Sequence, residues 1–310
     1  PLAGPGDMDE GITRVAVFWE ERGWTMRVRP TAYAGHAVAL AREAAEKGER
    51  LVLAAGGDGT LGEVVNGLAG SDTIMAPLPT GTGNSFGKEL RMPRPNLLDK
   101  EALVEAATLL ASGRVQRMDL GRFESGRYWM LWTGTGLDSY VVSQMEPRSK
   151  LEKRLGPAGY VAHALSLMPR FEPMEATVRV DDRAYHGRYL LVLLSNCRRY
   201  AGGEVLLSPD ATLDDGLLEI FLFEGSGSVQ AVRYMWQVWR GEHEDEPSIL
   251  RLRGRRVTVE TARTMPVHTD GDPAGETPFT CDVAPGALRL LVPPTAPPGL
   301  FEKQGFPITL

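Results

Sequence analysis

Two patterns of hydrophobic spacing divide this chain. Up to about residue 115, helix-period and strand-period segments alternate, the signature of β-α-β units around a largely parallel sheet. Ile12, Val15, Ala16 and Trp19 recur at helical spacing behind Asp9, and Gly23 stops that helix. A short strand is predicted over residues 25–28. Residues 36–47 are alanine-rich and helical and end at Gly48, and the continuous apolar run at 51–55 suits a buried parallel strand. Residues 74–78 read as the next strand and 99–110 as an amphipathic helix.

Beyond that point the spacing changes. Strands are predicted at 128–132, 176–180, 188–194, 217–223, 255–260 and 288–292, some separated by turns such as Asp181-Asp182. Two helices interrupt them, at 151–168 and 228–240. The expected fold class is therefore an α/β N-terminal domain with a parallel sheet, residues 1–118, followed by a β-rich antiparallel domain, residues 119–293. Pro293 to Pro298 reads as a linker. The opening Pro1 to Gly6 is a glycine-rich turn with no strand ahead of it, so the sequence is expected to begin truncated.

Composition narrows the class. A chain of 310 residues, 43% hydrophobic, buries a sizeable core and is long enough for two units. No stretch approaches the ~20 apolar residues of a bilayer span and no secretory signal opens the chain, so a cytosolic location is expected. Cys197 and Cys281 are the only cysteines and lack metal-ligand spacing. A net charge of −6 argues against nucleic acid as a partner.

Candidate chemistry sits in the glycine loops. Gly56-Gly57-Asp58-Gly59-Thr60 lies between a buried strand and a helix expected from near Leu61, where glycines admit phosphate oxygens to backbone N–H groups and the helix start favours anions. Asp58, itself an anion, suits Mg²⁺ or water held between it and the phosphates; the alternative is a tight turn capped by that Asp. Gly57, Gly59 and Gly62 also satisfy the GxGxxG dinucleotide fingerprint, but the strand at 74–78 leads to Pro79-Thr80 where an acid for the ribose is expected. Gly83-Asn84-Ser85-Phe86-Gly87 matches a GxSxG nucleophile elbow, with His268 as a potential base, yet another glycine loop precedes it instead of a strand.

Together, Gly56 to Thr60 and Thr80-Gly81-Thr82-Gly83-Asn84 resemble the two nucleotide loops of the diacylglycerol kinase and sphingosine kinase catalytic fold. The resemblance spans nearly the whole chain. Pro1 to Gly6 is similar to the family's opening loop without its Asn, and Thr31 followed by Gly35-His36-Ala37 resembles its threonine segment. Ser195-Asn196, Tyr200-Ala201-Gly202-Gly203, Ser208-Pro209 and Leu213-Asp214-Asp215-Gly216-Leu217 look like its second-domain signature.

The resemblance implies a Rossmann-like nucleotide-binding first domain to which residues 296–310 return, and an active site in the interdomain cleft where Asp58 and Asp272 converge. ATP would be held by Thr31, Gly56, Gly57, Asp58, Gly59, Thr60, Leu61, Gly62, Thr82, Gly83 and Asn84. A structural Mg²⁺ would sit on the Asp215 carboxylate with the carbonyls of Thr212 and Leu217, although Asp214-Asp215-Gly216 read alone is a hairpin turn. Asp270-Gly271-Asp272 ahead of Thr277-Pro278 resembles the family's Asp-Gly-Glu element, which makes Asp272 the general base, one methylene shorter than the family's Glu unless Glu276 compensates. Gly62 stands where the family usually carries Asn.

The implied activity is an ATP-dependent lipid kinase acting on a diacylglycerol-like hydroxyl, cytoplasmic and peripheral at the inner membrane face, with a homodimer as a further expected partner. The alternatives are an NAD kinase relative, whose Asn-Glu pair is not evident here, and a degraded kinase kept as a lipid-binding module. Val229, Val232, Trp236 and Trp239 read as ordinary helical core, with a lipid-facing stripe as the other candidate. Arg251, Arg253 and Arg255 would share one solvated strand face, with anionic headgroups as the other candidate contact. His36, His163 and His243 read as structural or solvated.

Overall fold

The computed structural model describes residues 8–80, 84–93, 101–144, 166–168, 171–225 and 227–308. In chain order the elements are α1 (Met8–Glu20), α2 (His36–Glu46), β1 (Leu51–Gly56), α3 (Asp58–Leu68), β2 (Ile74–Pro79), α4 (Ser85–Glu89), α5 (Ala102–Ala111), β3 (Arg114–Phe123), β4 (Tyr128–Trp129), β5 (Trp132–Gly136) and α6 (Leu137–Gln144). There follow β6 (Met174–Val180), β7 (Arg183–Ser195), β8 (Arg199–Tyr200), β9 (Val205–Leu206), β10 (Leu218–Glu224), α7 (Ser228–Arg240), β11 (Ile249–Gly254), β12 (Arg256–Thr261), β13 (Pro266–Thr269), β14 (Asp272–Glu276), β15 (Phe279–Val292) and β16 (Phe306–Pro307). A 3₁₀ turn, Glu242–Asp245, follows α7. The helix expected over 151–168 falls outside the described residues except for its last three, as does the opening loop 1–6.

The chain forms two compact units, one of Pro1–Leu120, Thr212–Asp215 and Pro285–Leu310, the other of Gly121–Ala211 and Gly216–Ala284. Residues 285–295 and the short 212–215 stretch thus belong with the first unit.

In the first unit β1 and β2 pair in parallel, Leu51 opposite Ile74 through Gly56 opposite Pro79, and β2 pairs in parallel with the end of β15. Every residue of β2 is buried, as a two-sided parallel strand requires. Helices α2 and α3 cross where Gly67 faces Ala41: a Cβ on Gly67 would lie 2.5 Å from that of Ala41. Residues 25–28, expected as a strand, have no ladder partner among the described residues and are mostly exposed. The proline stretch at 293–298 is not a free linker but a turn of the first unit, closed by Ala296 N–H bonding the Pro293 carbonyl and leading into buried Leu300.

The second unit is antiparallel throughout: β12, β6, β7, β5, β13 and β14 lie side by side, and β10 pairs with β7 and β11. Gly121 is obligatory there, because a Cβ would sit 1.8 Å from the buried Trp129 indole. A short helix, α6, appears where none was expected. The arginines of β11 are not a bare basic face: Arg251 and Arg253 both pair with Glu219, whose side chain is only 4% exposed, at 3.0 and 2.8 Å. Two cations around one buried carboxylate satisfy a charge that would otherwise be costly to bury.

Helix α7 departs most from its expected role. Ala231 and Tyr234 face inward, and Tyr234 lies edge-on to Phe223 with ring centroids 5.6 Å apart. Val229, Val232, Trp236 and Trp239, expected in the core, are exposed instead. A carboxylate behind the helix holds it: Glu246 accepts from Arg233, from the Gln237 amide at 2.7 Å and from the Ser248 hydroxyl at 2.5 Å. Those hydrogen bonds pull its pKa from 4.5 to about 2, with the Ser248 hydroxyl the main cause. Because the folded value lies below the unfolded one, the stability it contributes is present above about 4.5 and lost as pH falls toward 2. Thermal melts of wild type and Glu246→Gln should accordingly differ near neutrality and converge toward pH 2.

Candidate active site

The first glycine loop is built by close packing. A Cβ on Gly56 would lie 2.4 Å from the Thr60 side chain, so the strand-to-helix turn closes only around glycine. Helix α3 begins earlier than expected, at Asp58, and its cap residue Gly57 offers no side chain, so the first-turn amides are left for an outside acceptor. Leu61, fully buried, anchors the turn, while Gly59 is exposed and Gly62 gives its carbonyl to Asn66 at 2.8 Å.

Asp58 does something the sequence did not reveal. Its two carboxylate oxygens accept the N–H groups of Ser85 and Phe86, at 2.8 and 3.1 Å, and so bind the start of α4 to the first glycine loop. Burial pushes the carboxyl above its usual range, against the pull of these amides, the Ser85 hydroxyl and Lys88. Asn84 makes the reciprocal tie. It is completely buried, donates to the Gly56 carbonyl at 3.0 Å and accepts the Gly87 N–H at 2.7 Å. The first glycine loop is therefore cross-bonded to Asn84 and the head of α4; Gly81, Thr82 and Gly83 lie outside the described residues. Ser85, the nucleophile of the hydrolase alternative, is buried at the head of α4.

The threonine segment is bound to the same helix. Glu63, absent from the sequence-derived candidates, accepts the N–H groups of Gly35 and Ala37 at 2.8 and 3.0 Å and so caps α2 from α3. Thr31 is half-buried just ahead of this anchor.

In the second unit, the turn carrying Asp272 is held by its neighbour. Asp270, at φ 51°, accepts the N–H groups of Met130, Leu131 and Trp132 at 3.0, 2.8 and 3.1 Å. Asn196 holds the same segment from its other edge, bonding the carbonyls of Leu131 and Met130. The Ser195-Asn196 signature is thus a clamp on residues 130–132, which in turn fix the Asp270–Asp272 turn. Asp272 opens β14 with its side chain exposed. Glu276 lies four residues further along that strand, about 13 Å away at strand rise, too far to stand in for it. Nearby, buried His268 places Nε2 3.0 Å from the Asp138 carboxylate, which also accepts the Tyr200 hydroxyl.

The Asp214-Asp215-Gly216 stretch is not a hairpin turn. Asp214 accepts the N–H groups of Glu302 and Lys303 at 2.7 and 2.9 Å, and Leu213 bonds Leu300, so this stretch fastens the chain's last segment. Asp215 is half-buried, and the Thr212 hydroxyl oxygen is buried with no hydrogen-bond partner. Among the described residues no three carboxylates, imidazoles or thiolates gather as a metal centre. An ion at Asp215 would therefore rest largely on hydroxyl and carbonyl oxygens, a hard donor set of the kind Mg²⁺ takes.

A glycine-loop α/β unit with cross-bonded phosphate-type turns, joined to an antiparallel unit carrying an acidic turn, defines a two-domain kinase. Residues 1–123 match the model described as "Diacylglycerol kinase catalytic domain", and residues 133–292 match "YegS C-terminal NAD kinase beta sandwich-like domain". The chain belongs to the diacylglycerol kinase family of lipid kinases. It is 29% identical over 280 residues to diacylglycerol kinase of Bacillus subtilis (strain 168), covering 90% of this chain and 89% of that protein. The corresponding Staphylococcus epidermidis enzyme (strain ATCC 12228 / FDA PCI 1200) is 30% identical over 280 residues, with 90% and 85% covered. A crystal structure of a Bacillus anthracis str. Sterne protein assigned as a diacylglycerol kinase superposes with a TM-score of 0.79 at 26% identity, covering 96% of this chain and 94% of that one.

Proposed function

We propose that this kinase transfers the γ-phosphoryl group of ATP to a hydroxyl of a diacylglycerol-like lipid, acting from the cytoplasm at the inner membrane face. The observation that carries the reading is the pair of cross-bonds, Asp58 to Ser85 and Phe86 and Asn84 to Gly56, which ties the first glycine loop to Asn84 and the start of α4 before any ligand arrives. Gly56, Gly57, Gly59 and Thr60 bring backbone close to the phosphates, and the first turn of α3 offers them its uncapped amides. Leu61 and Gly62 complete that turn, Thr82, Gly83 and Asn84 supply the second loop, and Thr31 lies on the segment that Glu63 ties to α3.

Asp272 accepts the lipid hydroxyl proton as its oxygen bonds to the γ-phosphorus and the bond to the β-phosphate oxygen breaks, with ADP leaving. Mg²⁺, when bound, neutralises phosphate charge; Asp58 stands at the nucleotide loops, and Asp215 with Thr212 and Leu217 would hold a structural ion.

Incubation with labelled ATP, Mg²⁺, a panel of micellar lipids and NAD tests this reading. A phosphorylated lipid is the expected product. Phosphorylated NAD alone would select the NAD kinase alternative, and ATP binding with no product would select a lipid-binding module.

A further inference from the structure

Within α7 the residues at 229, 232, 236 and 239 fall three, four and three apart, so all four project from one narrow stripe of the helix. They are 87%, 42%, 54% and 65% exposed. Trp19, Trp129 and Trp132 are buried and Trp24 is half-buried, so the two exposed indoles are both on this helix. Trp236 and Trp239 lie against each other with ring centroids 5.3 Å apart, and the Arg240 guanidinium is 5.8 Å from the Trp236 ring. Leu206, on the β9 strand that packs against α7, is 45% exposed and adds to the apolar surface.

Nothing in the packing of α7 requires this stripe. Its opposite face makes the contacts, through Ala231, Tyr234 and the Glu246 bonds to Arg233 and Gln237. Water-exposed tryptophans in such numbers mark a surface that meets something else.

The charge around the stripe says what that is. Helix α7 carries Arg233 and Arg240 beside the apolar residues and no carboxylate. Of the acids that follow, Glu246 pairs with Arg233, Glu242 with Arg240 at 2.6 Å and Glu244 with Arg251 at 3.6 Å, while Asp245 is exposed. An apolar centre edged by Arg233 and Arg240, both more than half exposed beside their carboxylate partners, suits acyl chains lying beneath headgroups, the depth at which indoles settle in a bilayer. A second copy of the chain fits less well, because one helix stripe offers a few hundred square ångströms where a stable interface needs about 800 Å² per partner.

We propose that the Val229–Val232–Trp236–Trp239 face of α7 is the surface by which the enzyme docks on the phospholipid bilayer, lying in the headgroup plane without spanning it. This rests on the lipid kinase reading, whose acceptor resides in that bilayer. Among the described residues no helix is long and apolar enough to cross it.

The test is sedimentation of the full chain with vesicles of phosphatidylcholine and phosphatidylglycerol, without ATP, for wild type and the Trp236→Ala/Trp239→Ala double variant. Phosphorylation of a short-chain, water-soluble diacylglycerol by both proteins is run alongside. The wild type should bind with a blue shift in tryptophan emission, and the variant should bind about ten- to a hundredfold more weakly with equal activity on the soluble substrate. A milder Val229→Ser/Val232→Ser variant should weaken binding in the same direction. Equal binding by all proteins would overturn the proposal, as would a wild type that ignores vesicles. So would a wild-type dimer that the variants convert to monomer, which would assign the stripe to a second copy. Loss of soluble-substrate phosphorylation in wild type would instead count against the kinase reading, since vesicle binding does not depend on it.

Discussion

Asp272→Ala should lower kcat by about 10²–10⁴-fold with little change in melting temperature, the range a lost general base produces. The structural work of its turn is done by Asp270, which takes three amides, and by the ladder pairing of β13 with β14. The Asp272 side chain is exposed at the first position of β14, so its removal leaves neither a cavity nor an orphaned donor. Steady-state kinetics with ATP and a micellar diacylglycerol, beside a thermal melt, separate the two readouts. Asp272→Glu lengthens the side chain by one methylene and should retain activity within about tenfold, since carboxylate basicity is kept and only reach changes. A variant Asp272→Ala with wild-type kcat would remove Asp272 from the proposed chemistry.

Asp58→Ala should damage both stability and nucleotide use. It strands the N–H groups of Ser85 and Phe86 in a largely buried place, which costs about 2–4 kcal/mol for two donors losing a charged acceptor. It also frees the start of α4 from the first glycine loop, and a loop displaced by about an ångström lowers kcat/KM for ATP on the order of a hundredfold. Asp58→Asn offers one acceptor oxygen instead of two and should fall between wild type and Asp58→Ala in denaturant unfolding. A purely catalytic Asp58 would instead show unchanged stability in all three proteins.

Glycine punctuation made the first unit legible, because strands and helices there end at residues whose backbone geometry is visible in the letters. The β1, α3, β2 order and the phosphate-type turn at 56–60 follow from that, whereas the short helix α4 was not foreseen. Long-range polar work was not legible. Glu63 acts across 26 and 28 residues and Asp270 across as many as 140, and no local pattern announces either partner.

Strand β3 was hidden by Arg114, Arg117, Asp119 and Arg122, which interrupt its apolar positions; Asp119 is buried because Gly286 donates to it. Periodicity found α7 but misplaced its apolar stripe, since a repeat of three and four residues specifies a face and not what covers that face. For the β11 arginines alternation correctly showed a shared face, on which Arg253 is exposed, but it could not show Glu219, which neutralises that face and lies 32 residues away from Arg251.

Helix α3 extends one acid from its first residue to α4 and another, five positions later, to α2. Each residue along a helix turns the side-chain direction by about 100°, so inserting or deleting one position between Asp58 and Glu63 would swing one carboxylate away from its loop. What divergence must preserve here is an interval as much as two identities. Length variation in descendants of this sequence should therefore be excluded inside the 58–63 window.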